Sequence, residues 1–193
     1  MSTPYLVLAA MNLGLIGLLP RIFFDARGRK NAMWWVTAAP FFAAGAVLVL
    51  CYLDVWQPWY LPTAAGAVLN ESLAVPFAGA SIALIAYTVG SHRVPLALWH
   101  QDDDAPRSIV THGAYKYVRH PFYSAFLLAL TGTLVAVPHP GTVACLLYTA
   151  LMLRYTAVKE ERKLSSSEFG DEYRGYLART GRFWPRFRGS LPG

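Results

Sequence analysis

Apolar residues run along this chain in long stretches separated by short polar or Pro-containing segments, and the stretches predict membrane helices. The first, Pro4–Leu19, stops at Pro20-Arg21. A second, Ala32–Leu53, carries Trp34 and Trp35 at one end and Tyr52 and Trp56 at the other, where rings settle at the two membrane–water boundaries. Further spans are predicted over Leu73–Gly90, Phe122–Val137 and Thr142–Val158, the last two joined by the tight turn Pro138-His139-Pro140-Gly141. Between them, Trp59–Leu69 is too short to cross a bilayer and is followed by the polar pair Asn70-Glu71. Residues 59–72 therefore read as a re-entrant or interfacial segment on the outer side. The expectation is an all-α integral membrane protein of about five transmembrane helices, the number that roughly 20 residues per span allows.

Charge fixes the orientation of that array. All 17 Lys and Arg residues fall within Arg21–Lys30, Arg93–Arg119 and Arg154–Arg188, and the apolar runs between those stretches have none. Basic loops are retained on the cytoplasmic side, so all three stretches belong there and the N-terminus lies outside. The first positive charge follows the first apolar run, which argues for a retained helix and against a cleaved signal peptide. With 193 residues, 55% hydrophobic and 15% charged, the chain reads as a single membrane domain, 1–193. Within it, 1–95 form a scaffold of three spans and 96–193 a half that carries the chemistry. The net charge of +6 accompanies basic residues that flank apolar runs, which suits a lipid surface and gives no ground for nucleic acid as a partner. Cys51 and Cys145 lie inside apolar runs, with no CxxC and no Cys/His cluster, and read as buried small side chains.

Polar chemistry is concentrated in the 91–121 loop and the 159–193 tail. The densest segment is Gly113-Ala114-Tyr115-Lys116-Tyr117-Val118-Arg119-His120-Pro121-Phe122-Tyr123. Pro121 suits the first turn of a helix, whose N-terminus favours an anionic group, so Arg119 and His120 sit beside an anion-accepting site. A juxtamembrane Arg-His pair reaching for headgroups is the alternative reading. Glu160-Glu161 follows the fifth span among Lys159, Arg162 and Lys163. Adjacent helical residues point about 100° apart, so at most one of these acids can reach a ligand held against the fourth span. Asp102-Asp103-Asp104 reads as a solvated loop run, and no metal is expected. Asn70, Glu71 and His139 read as structural. Phe169, Tyr173, Tyr176 and Leu177 recur at helical spacing opposite Asp171, Arg174 and Arg179, which predicts a C-terminal amphipathic helix on the cytoplasmic side, closing over the site.

Taken in order, Gly113-x-Tyr115-x-x-x-Arg119-His120-Pro121-x-Tyr123, a short two-span hairpin, Glu160-Glu161-x-x-Leu164, Phe169-Gly170-x-x-Tyr173-x-x-Tyr176 and Arg182-Phe183-x-Pro185 form a pattern covering about residues 99–186. It resembles the C-terminal half of the isoprenylcysteine carboxyl methyltransferase family, which is related to the phospholipid methyltransferases. The resemblance implies an integral membrane enzyme that uses S-adenosyl-L-methionine, with its active site on the cytoplasmic face and a lipophilic acceptor drawn from the bilayer. Carried over by position, it implies cofactor contacts at Gln101, at Arg107-Ser108-Ile109-Val110, at Tyr115, at His120-Pro121-Phe122-Tyr123 and at the acid pair, Glu160 first and Glu161 beside it. The catalytic group it suggests is Arg119, His120 and Arg154, with an Arg to place an ionised carboxylate or His120 as base toward a phenol or amine. Two departures bear on the acceptor. Thr156 stands where the prenylcysteine enzymes have a substrate-binding Arg, leaving Arg154 as the nearest upstream substitute, and Leu164–Gly170 is one residue longer than the usual spacing. Arg154 also lies within reach of the cytoplasmic boundary and can snorkel there. A phospholipid or phenolic-lipid methyltransferase on the same scaffold is the alternative enzyme, and a non-catalytic membrane transporter or scaffold protein the alternative of another class.

Overall fold

The computed structural model describes residues 2–18, 30, 32–59, 64–91 and 109–186. These residues form six α-helices and one short 3-10 turn: α1 (Thr3–Leu18), α2 (Ala32–Tyr52), α3 (Ala64–Ser91), the turn Gly113–Lys116, α4 (Pro121–Ala136), α5 (Pro140–Ser165) and α6 (Gly170–Arg179). Three of the helices, over Trp35–Tyr52, Ala65–Ser91 and Pro140–Ser165, are long and apolar enough to cross a membrane. α1 and α4 are apolar but have 16 residues each, roughly 24 Å of helix against the roughly 30 Å of a hydrocarbon core. An all-helical integral membrane protein is thus what the sequence pattern folds into.

The outer-side segment departs from expectation. Residues 64–72 form no separate re-entrant element; they are the opening turns of α3, which begins nine residues before the predicted Leu73 and runs unbroken through Asn70 and Glu71. The reason is a partner that the local pattern does not display. Glu71 is buried, and its Oε1 accepts from the backbone N–H of Ser2 at 2.5 Å, so the carboxylate is paired inside the protein instead of stranded in an apolar phase. Asn12 of α1 accepts from Ser81 of α3 at 3.3 Å in the same interface.

α4 is the central helix. It is buried along most of its length and packs most extensively on α3. The two approach closely at Gly132, where a Cβ would meet Phe77 Cβ at 3.0 Å and the Ala74 carbonyl at 3.3 Å, and Tyr5 of α1 donates to the Gly132 carbonyl at 3.1 Å. Phe41 of α2 meets Phe126 of α4 edge-on, with ring centroids 5.5 Å apart. The predicted tight turn between α4 and α5 is closed by a cap on α5. His139 Nδ1 accepts from the Gly141 N–H at 3.0 Å, Thr142 Oγ1 accepts from the His139 N–H at 3.2 Å, and the His139 ring stacks on Trp56. This capping gives His139 a structural role. Cys51 and Cys145 are buried free thiols.

Two junctions carry the polar end. The 3-10 turn is tied to the end of α3, with Ser91 Oγ accepting from the Ala114 N–H at 3.2 Å and His112 Nε2 3.0 Å from the Ser91 carbonyl. Gly113 makes that junction possible, because its φ of 59° is left-handed and a Cβ there would run into Ser91. α5 extends beyond its predicted end at Val158 to Ser165, so Glu160 and Glu161 are helical, and Ser166–Phe169 turn the chain into α6.

Candidate active site

Four segments meet at the start of α4. The residues Val118, Arg119 and His120 run extended alongside the segment that follows α6, forming a parallel bridge between Val118 and Gly181. The Arg119 N–H donates to the Gly181 carbonyl at 2.8 Å, and the His120 N–H to the Arg182 carbonyl at 3.1 Å. Ser124 Oγ donates to the Phe183 carbonyl at 2.7 Å, and the Tyr176 hydroxyl to the Tyr115 carbonyl at 2.6 Å. The tail is thereby sewn to the beginning of α4, while the last turns of α5 lie beside both.

The acid pair divides its work. Glu161 is buried and faces three cations: Arg119 Nε at 2.9 Å, Arg182 Nη2 at 2.6 Å and His120 Nε2 at 3.2 Å. Arg119 also donates through Nη1 to the carbonyls of Leu177 and Thr180. Glu160 points a different way. Its Oε1 accepts from the Tyr123 hydroxyl at 2.8 Å, its Oε2 lies 3.3 Å from His120 Nδ1, and its side chain is more than twice as exposed as that of Glu161, 18% against 8%. Each carboxylate oxygen has two lone pairs, so Glu160 keeps acceptor capacity for a ligand, whereas Glu161 is saturated by side chains of the protein.

His120 bridges the two acids, one ring nitrogen toward each. Burial disfavours its charged form, but the hydrogen bonds and charges of Glu160 and Glu161 outweigh burial and raise its pKa above the ordinary 6.5. Both nitrogens face carboxylates, so the protonated ring donates to each and has no lone pair to spare. It stacks on Tyr123, with ring centroids 5.2 Å apart and planes 2° from parallel, and Phe183 closes edge-on against both. Burial also pushes the Tyr115 hydroxyl above its ordinary range and that of Tyr176 up to about 12, so both remain neutral hydrogen-bonding groups at neutral pH.

The structure brings together Tyr115, Arg119, His120, Tyr123, Glu160 and Glu161, all singled out in the sequence. Pro121 opens α4 at its first position, and Phe122 packs into the core against Phe126. Ile109 and Val110 are half-buried ahead of the 3-10 turn. Gln101, Arg107, Ser108 and the Asp102–Asp104 run lie outside the described residues. Arg154 is elsewhere, on the exposed face of α5 with Leu151 and Tyr155. Thr156, one turn before Glu160, shares the face of α5 that carries that acid. Arg182 and Phe183 are the members whose roles sequence reasoning missed. Their motif was legible, but the acid that Arg182 pairs with, 21 residues upstream, was not.

One carboxylate with acceptor capacity to spare, Glu160, thus stands beside the His120 imidazole and the Tyr123 and Phe183 rings.

Residues 96–166 match the isoprenylcysteine carboxyl methyltransferase family. A probable protein-S-isoprenylcysteine O-methyltransferase of Oryza sativa subsp. japonica is 32% identical over 96 residues, 48% of this chain and 48% of that protein. Methanethiol S-methyltransferase 1 of Bradyrhizobium diazoefficiens is 33% identical over 159 residues, 75% of this chain and 52% of that protein. The chain spans about half the length of the curated relatives it matches.

Proposed function

We infer that this chain, a membrane protein like those of the isoprenylcysteine carboxyl methyltransferase family over its matched segment, is a methyltransferase that uses S-adenosyl-L-methionine on a lipophilic acceptor. The observation that carries the reading is the unequal acid pair: Glu161 holds the α4 start, α5 and the tail together, leaving Glu160, oriented by His120 and Tyr123, open to a ligand. The cofactor supplies an electrophilic methyl group. Glu160 receives its ammonium, the neutral Tyr123 and Phe183 rings flank its sulfonium, and Tyr115, Ile109 and Val110 line the approach, with Gln101, Arg107 and Ser108 contributing from the preceding loop. His120 acts as a positioning cation, because both ring nitrogens are engaged and none is free to take an acceptor proton. The protein contributes alignment and exclusion of water, the means by which a displacement without a covalent enzyme intermediate is accelerated.

The distribution of basic residues supports five membrane passages with the N-terminus outside and this site on the cytoplasmic face, α1 and α4 completing the array. α6, with Tyr173 and Tyr176 buried and its other face exposed, lies at that interface as the lid of the site.

The acceptor follows from the cations. A carboxylate brought to a half-dry site needs a close positive charge, and desolvating it without one costs several kcal/mol, on the order expected for an unpaired ion. Among the described residues, Arg119 and Arg182 are committed to Glu161, Thr156 stands one turn from Glu160, and Arg154 faces away from the site; Arg107 belongs with the cofactor. The acceptor is therefore one that arrives neutral, on a bilayer-resident lipid or a thiol, and gives up its proton to water at the membrane interface as the methyl group passes to it. The relative named for methanethiol, which shares the greater part of this chain, favours the thiol as a second reading. In detergent, calorimetry is expected to show binding of S-adenosyl-L-methionine and of its demethylated product. No heat and no thermal shift at millimolar cofactor would overturn the methyltransferase reading. Given binding, labelled cofactor offered with a farnesylated cysteine analogue, a lipid panel and short alkyl thiols is expected to methylate the last two groups in preference. Robust methylation of the prenylcysteine that survives Arg154→Ala would refute the acceptor assignment.

A further inference from the structure

The face of α5 turned away from Glu160 carries a chemistry that methyl transfer leaves unused. Leu147, Leu151 and Tyr155 follow one another at one-turn spacing, 58%, 69% and 67% exposed, and the same face continues into Val158, Lys159 and Arg162, with Arg154 on its flank. Leu151, Arg154, Tyr155, Val158, Lys159 and Arg162 line a shallow open groove of about 630 Å³. Arg119 and Arg182 are bound to Glu161, but Arg154, Lys159 and Arg162 meet no carboxylate among the described residues. Three cations thus stand together at one end of an exposed apolar stripe, with no carboxylate partner among the described residues.

The order along the helix is informative. From Leu147 to Arg162 the rise is roughly 22 Å, apolar at the start, aromatic at Tyr155 and cationic at the end. One leaflet of a bilayer, from midplane to headgroup, is about half of 40–45 Å and is graded in the same sequence. A second copy of this chain is a poor occupant, since a two-fold contact through this face would set the three cations against their own images.

We propose that this face is a binding site for one anionic phospholipid, whose phosphate is held by Arg154, Lys159 and Arg162 while an acyl chain lies along Leu151 and Leu147. Tyr155 marks the boundary between the two. Arg154, the deepest of the three, reaches toward the phosphate by extending its stem along Val158. The assignment does not depend on methyl transfer, and its test needs no turnover.

Native mass spectrometry of the intact purified protein, mixed with equal amounts of phosphatidylglycerol and phosphatidylcholine, reads the site directly. Wild type is expected to retain phosphatidylglycerol over phosphatidylcholine by at least about tenfold, as a few basic residues at a membrane surface provide. The combined variant Arg154→Gln, Lys159→Gln, Arg162→Gln is expected to lose that preference. A charge-matched control, Arg174→Gln, Arg179→Gln, Arg186→Gln, is expected to keep it. The site residues are exposed on a lipid-facing surface, so the folded fraction, followed by thermal melting in the same detergent, is expected to stay as in wild type. If the site variant fails to fold, Leu151→Glu, which puts an acid where the acyl chain lies, must by itself abolish retention. Equal retention of the two lipids by wild type, equal loss in the site and control variants, or a dimer that dissociates when the three cations are neutralised would each overturn the proposal.

Discussion

Glu161→Gln is expected to be the most damaging single substitution in this protein. The side chain is buried and accepts from Arg119, His120 and Arg182 at once, joining α5 to the start of α4 and to the tail. Removing the charge leaves three cations crowded around a neutral amide, and breaking a buried ion pair from one side costs about 3–5 kcal/mol. Chemical denaturation in detergent should register that loss, and limited proteolysis should show cleavage after α6 as the Thr180–Phe183 segment comes away. A variant as stable as wild type would mean that the backbone pairing of Val118–His120 with the tail suffices without the acid. The His120 bridge adds a pH dependence. Its folded pKa is raised, so the stability it contributes is complete below about 6.5 and declines as pH rises through the folded value, giving an alkaline loss that His120→Gln should remove.

Glu160→Gln is expected to leave the fold standing and to weaken the cofactor. The side chain has one protein donor at Tyr123 and a shared contact with His120, so the amide can keep part of its local bonding. What it loses is the charge that would meet an ammonium. A charge-assisted hydrogen bond contributes roughly 1.5–3 kcal/mol, which is on the order of a 10- to 100-fold rise in dissociation constant. Calorimetric titration of S-adenosyl-L-methionine into Glu160→Gln, beside a melting curve that matches wild type, is the discriminating pair of measurements. Stability and affinity falling together would place Glu160 with Glu161 in the structural cluster and remove it from the binding site.

How much of this was legible beforehand depended on whether the signal was local. α1, α2 and α4 follow apolar runs whose bounds are written in consecutive residues, and Pro121 and Pro140 open α4 and α5, although α5 continues past the end of its apolar run to Ser165. The start of α3 was misread because Glu71, judged by its neighbours, is a break in an apolar run. Its partner is the backbone of Ser2, 69 residues away. The division between the two acids had the same character. A helix dictates that adjacent carboxylates diverge, so the sequence allowed at most one of them to reach a ligand, and which one is bound by Arg119 and Arg182 depended on the fold.

By itself, then, the chain determined a helical membrane protein and the residue types that gather at one end of its helices, because hydropathy and motif spacing are properties of short segments. Only the tertiary structure decided that Arg182 and Arg119 close on Glu161, that His120 stands between the two acids, and that Arg154 lies on the exposed face of α5 away from the site. Those outcomes depend on the rotation of α5 about its own axis and on the pairing of residues 180–183 with 118–120. Both are set by long-range packing, in which the need to compensate one buried carboxylate outweighs what any local stretch of sequence prefers.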